Sequence, residues 1–287
     1  MRLEGKCGLI TGAGSGIGRA LAIEASARGM RLILTGRRRD ALESTYALVS
    51  SKADVHVEPR DITSANDRLL LRRVAGERFG CLDILINNAG VQSVGPLAAI
   101  GDRDLEAMVR TNLLAPMAMV RDMLDLLKVS AASRIVNVGS MFGEIGFPLF
   151  GAYSATKFGL RGLSDALRRE LFDDGVGVTY AAPRATRTAA TARYAHLVEA
   201  FKMKMDEPED VARRILRAVE RDARSVYPRG PERFLVLLQR LLPSVIDGAL
   251  VAQLRKARES LASPPSLSRD SVAIKAEKPN GAKSGAF

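Results

Sequence analysis

Three residues near the middle of the chain have types and spacing suited to proton transfer. Ser140 is followed thirteen positions later by Tyr153 and, four positions beyond that, by Lys157. In a helix, Tyr153 and Lys157 would lie on one face as an i, i+4 pair. A tyrosine has a pKa of about 10, so a shift of about three units, or roughly 4 kcal/mol of preferential phenolate stabilisation, is needed for exchange near neutrality. A fixed ammonium favours phenolate, so the spacing predicts a tyrosine with a lowered pKa.

A glycine-rich segment near the N-terminus has the spacing of a phosphate-binding turn. The sequence TGAGSGIG at residues 11–18 follows an apolar run and precedes an amphipathic stretch that ends near Gly29. Glycines allow the backbone to turn tightly and to approach a pyrophosphate, whose charge is stabilised by the N–H groups and dipole of a helix N-terminus. Taken alone the glycines also fit a tight structural turn. Their spacing favours dinucleotide binding.

The end of the second predicted strand indicates which dinucleotide is bound. An acidic residue at this place would bind the ribose 2′-hydroxyl and repel a 2′-phosphate. The chain instead reads LTGRRR at residues 34–39. Guanidinium groups bind phosphate in a bidentate manner. We therefore predict that Arg37, helped by Ser15 and Arg38, selects NADP(H), the alternative being arginines that only cap and solvate a helix.

The elements that must position these residues follow from the hydropathy pattern. Between residues 6 and 228, short apolar runs alternate with longer amphipathic stretches, as in repeated strand, crossover helix and parallel strand units. Right-handed crossovers give an α/β, Rossmann-type doubly wound sheet with helices on both faces and a crevice at the carboxyl ends of its strands. The seven predicted strands are residues 8–10, 31–35, 55–58, 84–87, 134–138, 177–181 and 225–227.

The motifs also occur in an order that is typical of one family. Each of them is common by itself, but the ordered set is not. The set comprises the glycine loop, Asp61 after the third strand, NNAG at residues 87–90 after the fourth, Asn112 on the next helix, and then Ser140, Tyr153 and Lys157. In these positions the sequence resembles the short-chain dehydrogenase/reductase family over residues 3–227.

The resemblance implies a role for each catalytic position. Tyr153 would be the general acid in reduction and the base in oxidation, and Ser140 would stabilise charge that develops on the substrate oxygen. Lys157 would lower the pKa of Tyr153, together with the positive nicotinamide of the oxidised cofactor, and would hold the nicotinamide ribose. Asn112 would position a water that links this lysine to solvent. Hydride chemistry itself belongs to the nicotinamide.

The resemblance also implies a set of cofactor-binding positions. Besides Tyr153 and Lys157, these are Gly12, Ser15, Gly16, Ile17, Gly18, Arg37, Asp61, Ile62, Asn88, Ala89, Gly90 and Thr188. Thr188 falls where the family binds the carboxamide. Arg184 departs from the pattern, because the family usually has glycine there. It is either an outward-pointing substitution or a contact for an anionic group on the substrate.

Apolar residues surround the expected substrate cleft and favour a lipid-like or aromatic carbonyl over a sugar. They are Val91, Met141, Phe142, Ile145, Phe147, Leu149 and Phe150. Residues 231–262 form an amphipathic extension that Pro243 divides into two predicted helices. We consider three roles for it: a cover over the substrate pocket, a dimer contact, or a surface lying on a membrane.

Composition limits the remaining classes of function. The formal net charge is +11, but no zinc spacing or aromatic interleaving accompanies it, so we expect no nucleic-acid partner. Cys7 and Cys81 are interpreted as small core residues, and no metal is expected. His56 and His196 fall in no motif and are interpreted as structural or solvated. We expect neither a secretion leader nor a membrane span, and a cytoplasmic location, with peripheral membrane contact if the extension lies on a bilayer.

The sequence thus predicts a reductase of hydrophobic ketones or aldehydes, with a catalytically silent sensor or scaffold on the same fold as the alternative. Its expected parts are a catalytic domain at residues 1–230, the extension at 231–262 and a disordered tail at 263–287. A homo-oligomer is expected from the resemblance, because relatives commonly pair through two long helices, here near residues 104–128 and 151–172.

Overall fold

A parallel sheet forms the centre of the protein. The computed structural model describes residues 1–51 and 53–262. The strands are β1 (Cys7–Thr11), β2 (Arg31–Gly36), β3 (Val55–Pro59), β4 (Ile84–Asn87), β5 (Ser133–Val138), β6 (Val176–Ala181) and β7 (Ser225–Val226). They pair in the order β3-β2-β1-β4-β5-β6-β7, so the predicted seven-stranded doubly wound sheet is confirmed. The strand order reverses between β1 and β4, and a ligand crevice is expected at that point.

Helices cover both faces of the sheet. They are α1 (Gly16–Ala27), α2 (Arg39–Tyr46), α3 (Ala65–Phe79), α4 (Asp102–Val109), α5 (Ala115–Val129), α6 (Gly151–Glu170), α7 (Ala189–Ala192), α8 (Ala195–Ala200), α9 (Pro208–Glu220), α10 (Glu232–Leu241) and α11 (Pro243–Ala262). Successive strand residues point to opposite faces. Ile10 and Leu34 therefore join the core beneath α1 and α9, whereas Leu9 and Ile33 join the core beneath α3 and α5.

Two short irregular turns interrupt the regular elements close to predicted catalytic residues. A π-helical turn, Arg110–Leu114, joins α4 to α5, and its central Asn112 is fully buried. A 3₁₀ turn, Met141–Gly143, follows β5, and Ser140 caps it. Such wide or tight turns rotate side chains out of the positions that a continuous helix would give them. They direct Asn112 inward and place Ser140 at the carboxyl edge of the sheet.

The C-terminal extension folds as the two predicted helices, which meet at Pro243. Val236 of α10 packs into a cluster with Tyr180, and Ala257 of α11 packs into a cluster with Phe201. Helix α10 therefore rests on the end of β6 and on residues that precede it, whereas α11 packs against a cluster that includes the helices after β6. The predicted tail, residues 263–287, lies outside the described residues.

No single helix among the described residues is long and apolar enough to span a bilayer. One pair passes the same length and composition criteria when its members are taken together: Glu232–Leu241 with Pro243–Glu259, which are bent by 119° relative to each other.

Candidate active site

A cavity of about 1480 Å³ opens where the strand order reverses. It is lined by every predicted catalytic and cofactor-binding residue except Gly18 and Asn112. One end is formed by the loop after β1 and by the ends of β2 and β3, and we call it the glycine-loop end. The other, the aromatic end, is formed by the segment after Ser140 and by helices that follow β6. The predicted reactive side chains lie between the two ends.

The glycine loop holds a backbone conformation that side chains would block. Gly12 and Gly16 have φ angles of 66° and 53°, in the left-handed region that favours glycine. A Cβ at Gly18 would lie 2.2 Å from the Gly12 carbonyl oxygen, so Gly18 packs α1 against the loop and does not line the cavity. Ser15 is the exposed N-cap of α1, and its side chain makes no cap hydrogen bond. This arrangement fits a pyrophosphate at the helix N-terminus.

The turn after β4 ties the strand ends together. The Asn88 amide donates to the carbonyl oxygens of Thr11 at 2.9 Å and Gly12 at 3.3 Å. The Thr11 hydroxyl in turn accepts the backbone N–H groups of Asn88 and Ala89, at 2.9 and 3.1 Å. The Asn88 side chain is therefore engaged within the protein, and its contribution at the cavity wall is mainly the shape of the turn.

Three guanidinium groups line the glycine-loop end. Arg37 and Arg38 are exposed beside the cavity and have no ion-pair partner among the described residues. Arg60 was not identified from the sequence, although it stands directly before Asp61 at the end of the third strand. Its Nε is buried without a hydrogen-bond partner in the described part of the chain, and its nearest acid is Glu58 at 3.5 Å. This end of the cavity suits an anion.

The loop that carries Ser140 is supported from below by Tyr180, which the sequence analysis did not single out. Tyr180 is fully buried on β6, and its hydroxyl accepts the Ser140 N–H at 3.4 Å. It donates to the carbonyl oxygen of Ser140 at 3.3 Å or of Lys157 at 3.4 Å. A Cβ at Gly139 or Gly143 would lie 2.2 or 2.4 Å from atoms of Tyr180. Tyr180 therefore fixes Ser140 relative to α6.

Tyr153 and Lys157 lie close together on α6, as predicted, but the pKa of Tyr153 is not lowered as predicted. The Lys157 ammonium lies 5.6 Å from the centre of the Tyr153 ring and donates to the Val138 carbonyl oxygen at 3.0 Å. Burial lowers the pKa of Lys157 to about 8. Burial also raises the pKa of Tyr153 above its ordinary value, and a hydrogen bond with Ser140 offsets this only in part.

In the protein without cofactor, the pKa of Tyr153 therefore lies above its ordinary value and not, as the spacing predicted, below it. The reason is that burial disfavours phenolate at Tyr153 and ammonium at Lys157. Moreover, the ammonium makes its hydrogen bond to a backbone carbonyl on the sheet. That the positive charge of a bound oxidised nicotinamide lowers the pKa of Tyr153 stays a prediction.

Asn112 lies behind the cavity wall. Its amide accepts the Val91 N–H at 2.8 Å, donates to the Val91 carbonyl oxygen at 2.7 Å and donates to the Thr156 hydroxyl at 3.1 Å. These bonds fix the segment following Gly90 against α6. The role implied by the resemblance, positioning a water for Lys157, stays a prediction.

Aromatic and aliphatic side chains line the aromatic end. Phe142 and Phe147 stack with their ring centres 4.7 Å apart. Of the predicted cleft residues, only Phe150 does not line the cavity, because it is 1% exposed within a core cluster. Helices after β6 supply walls that the sequence did not reveal. These additional lining residues are Tyr194, Leu197, Phe201, Leu235, Ile246 and Leu250.

Arg184 has a role that neither expectation described. Its guanidinium pairs with Asp206 at 3.0 Å and with Glu232 at the start of α10, and it donates to the Arg229 carbonyl oxygen at 2.7 Å. Its side chain is 9% exposed. The residue therefore does not point outward: it lines the cavity, and its charge is paired with two carboxylates of the protein. It fastens α10 to the loop after β6. A contact with an anionic group of the substrate stays a prediction.

Sheet order, glycine loop and cavity together define a Rossmann-type dinucleotide-binding protein. A family model described as short chain dehydrogenase matches residues 6–197. A dehydrogenase/reductase SDR family protein 7-like of Anopheles gambiae is 32% identical over 260 residues, covering 85% of this chain and 81% of that protein. The chain therefore belongs to the short-chain dehydrogenase/reductase family. It is an oxidoreductase of that family with a nicotinamide cofactor.

Two solved structures are similar over most of the chain. A short chain dehydrogenase/reductase from Burkholderia phymatum in complex with NAD has a TM-score of 0.77 and 26% identity, covering 84% of this chain and 94% of its own. The 3-ketoacyl-(acyl-carrier-protein) reductase from Brucella melitensis, complexed with NADH, has a TM-score of 0.67 and 25% identity, covering 74% and 89%.

Proposed function

We propose that this protein is an NADP(H)-dependent reductase that converts a hydrophobic ketone or aldehyde into an alcohol. One observation carries the proposal: a single cavity joins unpaired guanidinium groups, the Ser140, Tyr153 and Lys157 side chains, and an apolar aromatic wall. The first of these suits a phosphate-bearing cofactor, the second a carbonyl oxygen that must receive a proton, and the third an apolar substrate body.

The residues of the glycine-loop end would hold the cofactor. The backbone of the loop and the N-terminus of α1 suit the pyrophosphate, and Arg37, with Arg38 and Arg60, suits a 2′-phosphate. Thr188 lies against the loop, since a Cβ at Gly16 would lie 2.9 Å from its Cγ2, and it is suited to the carboxamide. When bound, the reduced nicotinamide supplies hydride to the carbonyl carbon.

Ser140 and Tyr153 would act on the carbonyl oxygen of the substrate. The Ser140 hydroxyl would donate a hydrogen bond to the substrate oxygen, and Tyr153 would deliver its phenolic proton as negative charge develops there. Burial keeps Tyr153 protonated, because it raises the pKa of the phenol. A protonated phenol is the form needed for reduction, since an alkoxide is a stronger base than a phenolate. Burial thus holds Tyr153 in the protonation state that reduction requires.

A substrate panel tests the proposal. Long-chain and cyclic ketones and aldehydes would be compared with short polar carbonyls and sugars, using NADPH and NADH separately and following the absorbance of the reduced nicotinamide. We expect the highest kcat/KM for apolar carbonyls with NADPH. Preference for a sugar would contradict the apolar assignment. Tight NADPH binding without turnover of any member would support the silent sensor and overturn the proposal.

A further inference from the structure

Helix α10 carries most of its apolar side chains on the face turned away from the core. Phe234, Leu237 and Leu241 follow one another at three- and four-residue spacing, so they share a face. They are 64%, 52% and 68% exposed, whereas Val236 on the opposite side is 5% exposed. With Leu242 and Val245 at the junction with α11, which are 55% and 52% exposed, they form what we call the α10 surface.

Polar contacts hold α10 in this orientation. Arg240 pairs with the buried Glu144 at 3.2 Å, and Glu232 pairs with Arg184. Both contacts are on the inner side of the helix, next to the catalytic loop and to the segment after β6. Rolling the helix to bury its apolar face would break them and leave Glu144 with one partner fewer in a buried position, which is costly. The outward apolar face is therefore built into the fold.

The two helices that carry the α10 surface also carry exposed cations, which we call the basic rim. They are Arg233, Arg240, Arg255, Lys256 and Arg258, of which Arg240 pairs with Glu144. The described part of these helices carries three acids, Glu232, Asp247 and Glu259, and Glu232 is engaged with Arg184. An apolar surface accompanied by cations is complementary to a layer that is apolar inside and anionic at its edge.

We propose that the α10 surface lies on an anionic lipid bilayer. The charge of the rim selects this occupant over a second copy of the chain, because a two-fold contact would place the rim of one copy against the same cations of the other. The molecule also has a separate apolar region along α5 and α6, where Leu114, Met117 and Phe158 are exposed. That region is the one that the family resemblance associates with pairing.

The docked orientation has a consequence for the substrate, and this step rests on the proposed function. Leu235, Ile246 and Leu250 line the aromatic end of the cavity and belong to the same two helices as the α10 surface. An apolar carbonyl dissolved in the bilayer would therefore meet the cavity beside the docked helices. It would reach Ser140 and Tyr153 without passing through water.

Vesicle flotation of the full chain tests the docking. Vesicles of phosphatidylcholine alone would be compared with vesicles of equal parts phosphatidylcholine and phosphatidylserine. We expect flotation with the anionic vesicles, and at least about tenfold weaker binding for Phe234→Asp/Leu241→Asp, because two apolar contacts are lost. Arg233→Gln/Lys256→Gln should weaken binding to anionic vesicles by about fivefold for each charge.

A matched control distinguishes docking through the α10 surface from nonspecific adsorption of exposed apolar residues to vesicles. Phe172→Asp/Leu97→Asp changes the same residue types at sites that are 78% and 65% exposed on other parts of the molecule, and it should float as the unmodified protein does. Equal loss in both double variants, or no flotation of the unmodified protein, overturns the proposal. So does a change from dimer to monomer in sedimentation when only the α10 surface is altered. Flotation requires no turnover, so failure of the proposed reductase activity leaves the docking result standing.

Discussion

The glycine-loop end of the cavity is made largely of backbone turns, whereas the aromatic end is made of side chains carried by helices. At the first, Gly12 and Gly16 adopt left-handed φ angles at the edge of the central sheet. At the second, Phe201, Leu235 and Leu250 come from three different helices or their ends. The difference shows how one fold keeps a constant cofactor site while its substrate site varies, because helix side chains change without disturbing the sheet.

The largest expected effect lies where the two ends meet. Tyr153→Phe removes the proton donor and should lower turnover by about 100- to 10,000-fold, the range for loss of a general acid. NADPH binding, followed by fluorescence titration, should change far less than turnover, because the glycine-loop end is intact and only one hydroxyl contact of the cofactor site is removed. Tyr46→Phe, at a tyrosine that is 48% exposed on α2, is the matched control. Undiminished turnover would contradict the proposed reductase mechanism. It would also contradict the functional distinction between the two ends of the cavity.

The second effect concerns Lys157 and pH. In the unfolded chain its pKa is near 10.5, and burial lowers it to about 8 in the folded protein. Between these values the unfolded state binds more protons, so the free energy of unfolding should rise with pH by about 3 kcal/mol relative to Lys157→Met. Urea titrations of the cofactor-free proteins between pH 7 and about 10.5 measure the difference.

Cys7 acts in the opposite direction in the same pH range. Burial raises its pKa from 9.0 to about 11, so its contribution to stability is lost above its unfolded value. Both proteins share this loss, and it cancels in their difference. A difference that stays flat with pH would show that Lys157 keeps its ordinary pKa when folded.

The third effect is confined to the glycine-loop end. Arg37→Asp replaces a phosphate-binding cation with an acid and should lower the ratio of kcat/KM for NADPH to that for NADH by about 10- to 100-fold. Arg39→Asp is the control, because Arg39 is exposed and pairs with Glu43 at 3.5 Å. An unchanged ratio would assign these arginines to helix solvation, and the two structural relatives bound to NAD and NADH would then be the better guide to the cofactor.

The smallest effect is confined to the aromatic end. Glu232→Gln removes one of two carboxylates from Arg184 and loosens α10, so the KM for apolar carbonyls should rise by about fivefold, equivalent to about 1 kcal/mol. The KM for NADPH should not change. Glu207→Gln, which breaks the exposed pair with Arg187 at 2.7 Å, is the control. Equal changes in both KM values would show that the two ends are not independent.

The same division separates what the sequence predicted from what it did not. The strands, the glycine loop and the Tyr153–Lys157 spacing depend on neighbours within a few positions, so local pattern was enough for them. The ion pair of Arg184 was missed because its partner Glu232 is 48 positions away. The pKa of Tyr153 was assigned the wrong direction for the cofactor-free protein because burial is a property of the folded chain.

Other features missed from the sequence have the same cause. Arg60 and Tyr180 matter through groups on neighbouring strands and loops that no spacing brings together. The amphipathic pattern of α10 was recognised, but periodicity does not tell which face points to the core. The contacts of Glu232, Val236 and Arg240 with the rest of the protein determine that the apolar face is outside.

The buried phenol of Tyr180 implies genetic interdependence within the catalytic loop. Because a methyl group at Gly139 would collide with it, alanine at Gly139 becomes tolerable only in a background where residue 180 has first been made smaller, whereas a methyl group at Gly143 would also lie 2.7 Å from the Lys157 carbonyl oxygen. The order of substitutions therefore matters. If residue 180 is made smaller first, the single variant contains no collision; if Gly139 is enlarged first, the single variant contains it.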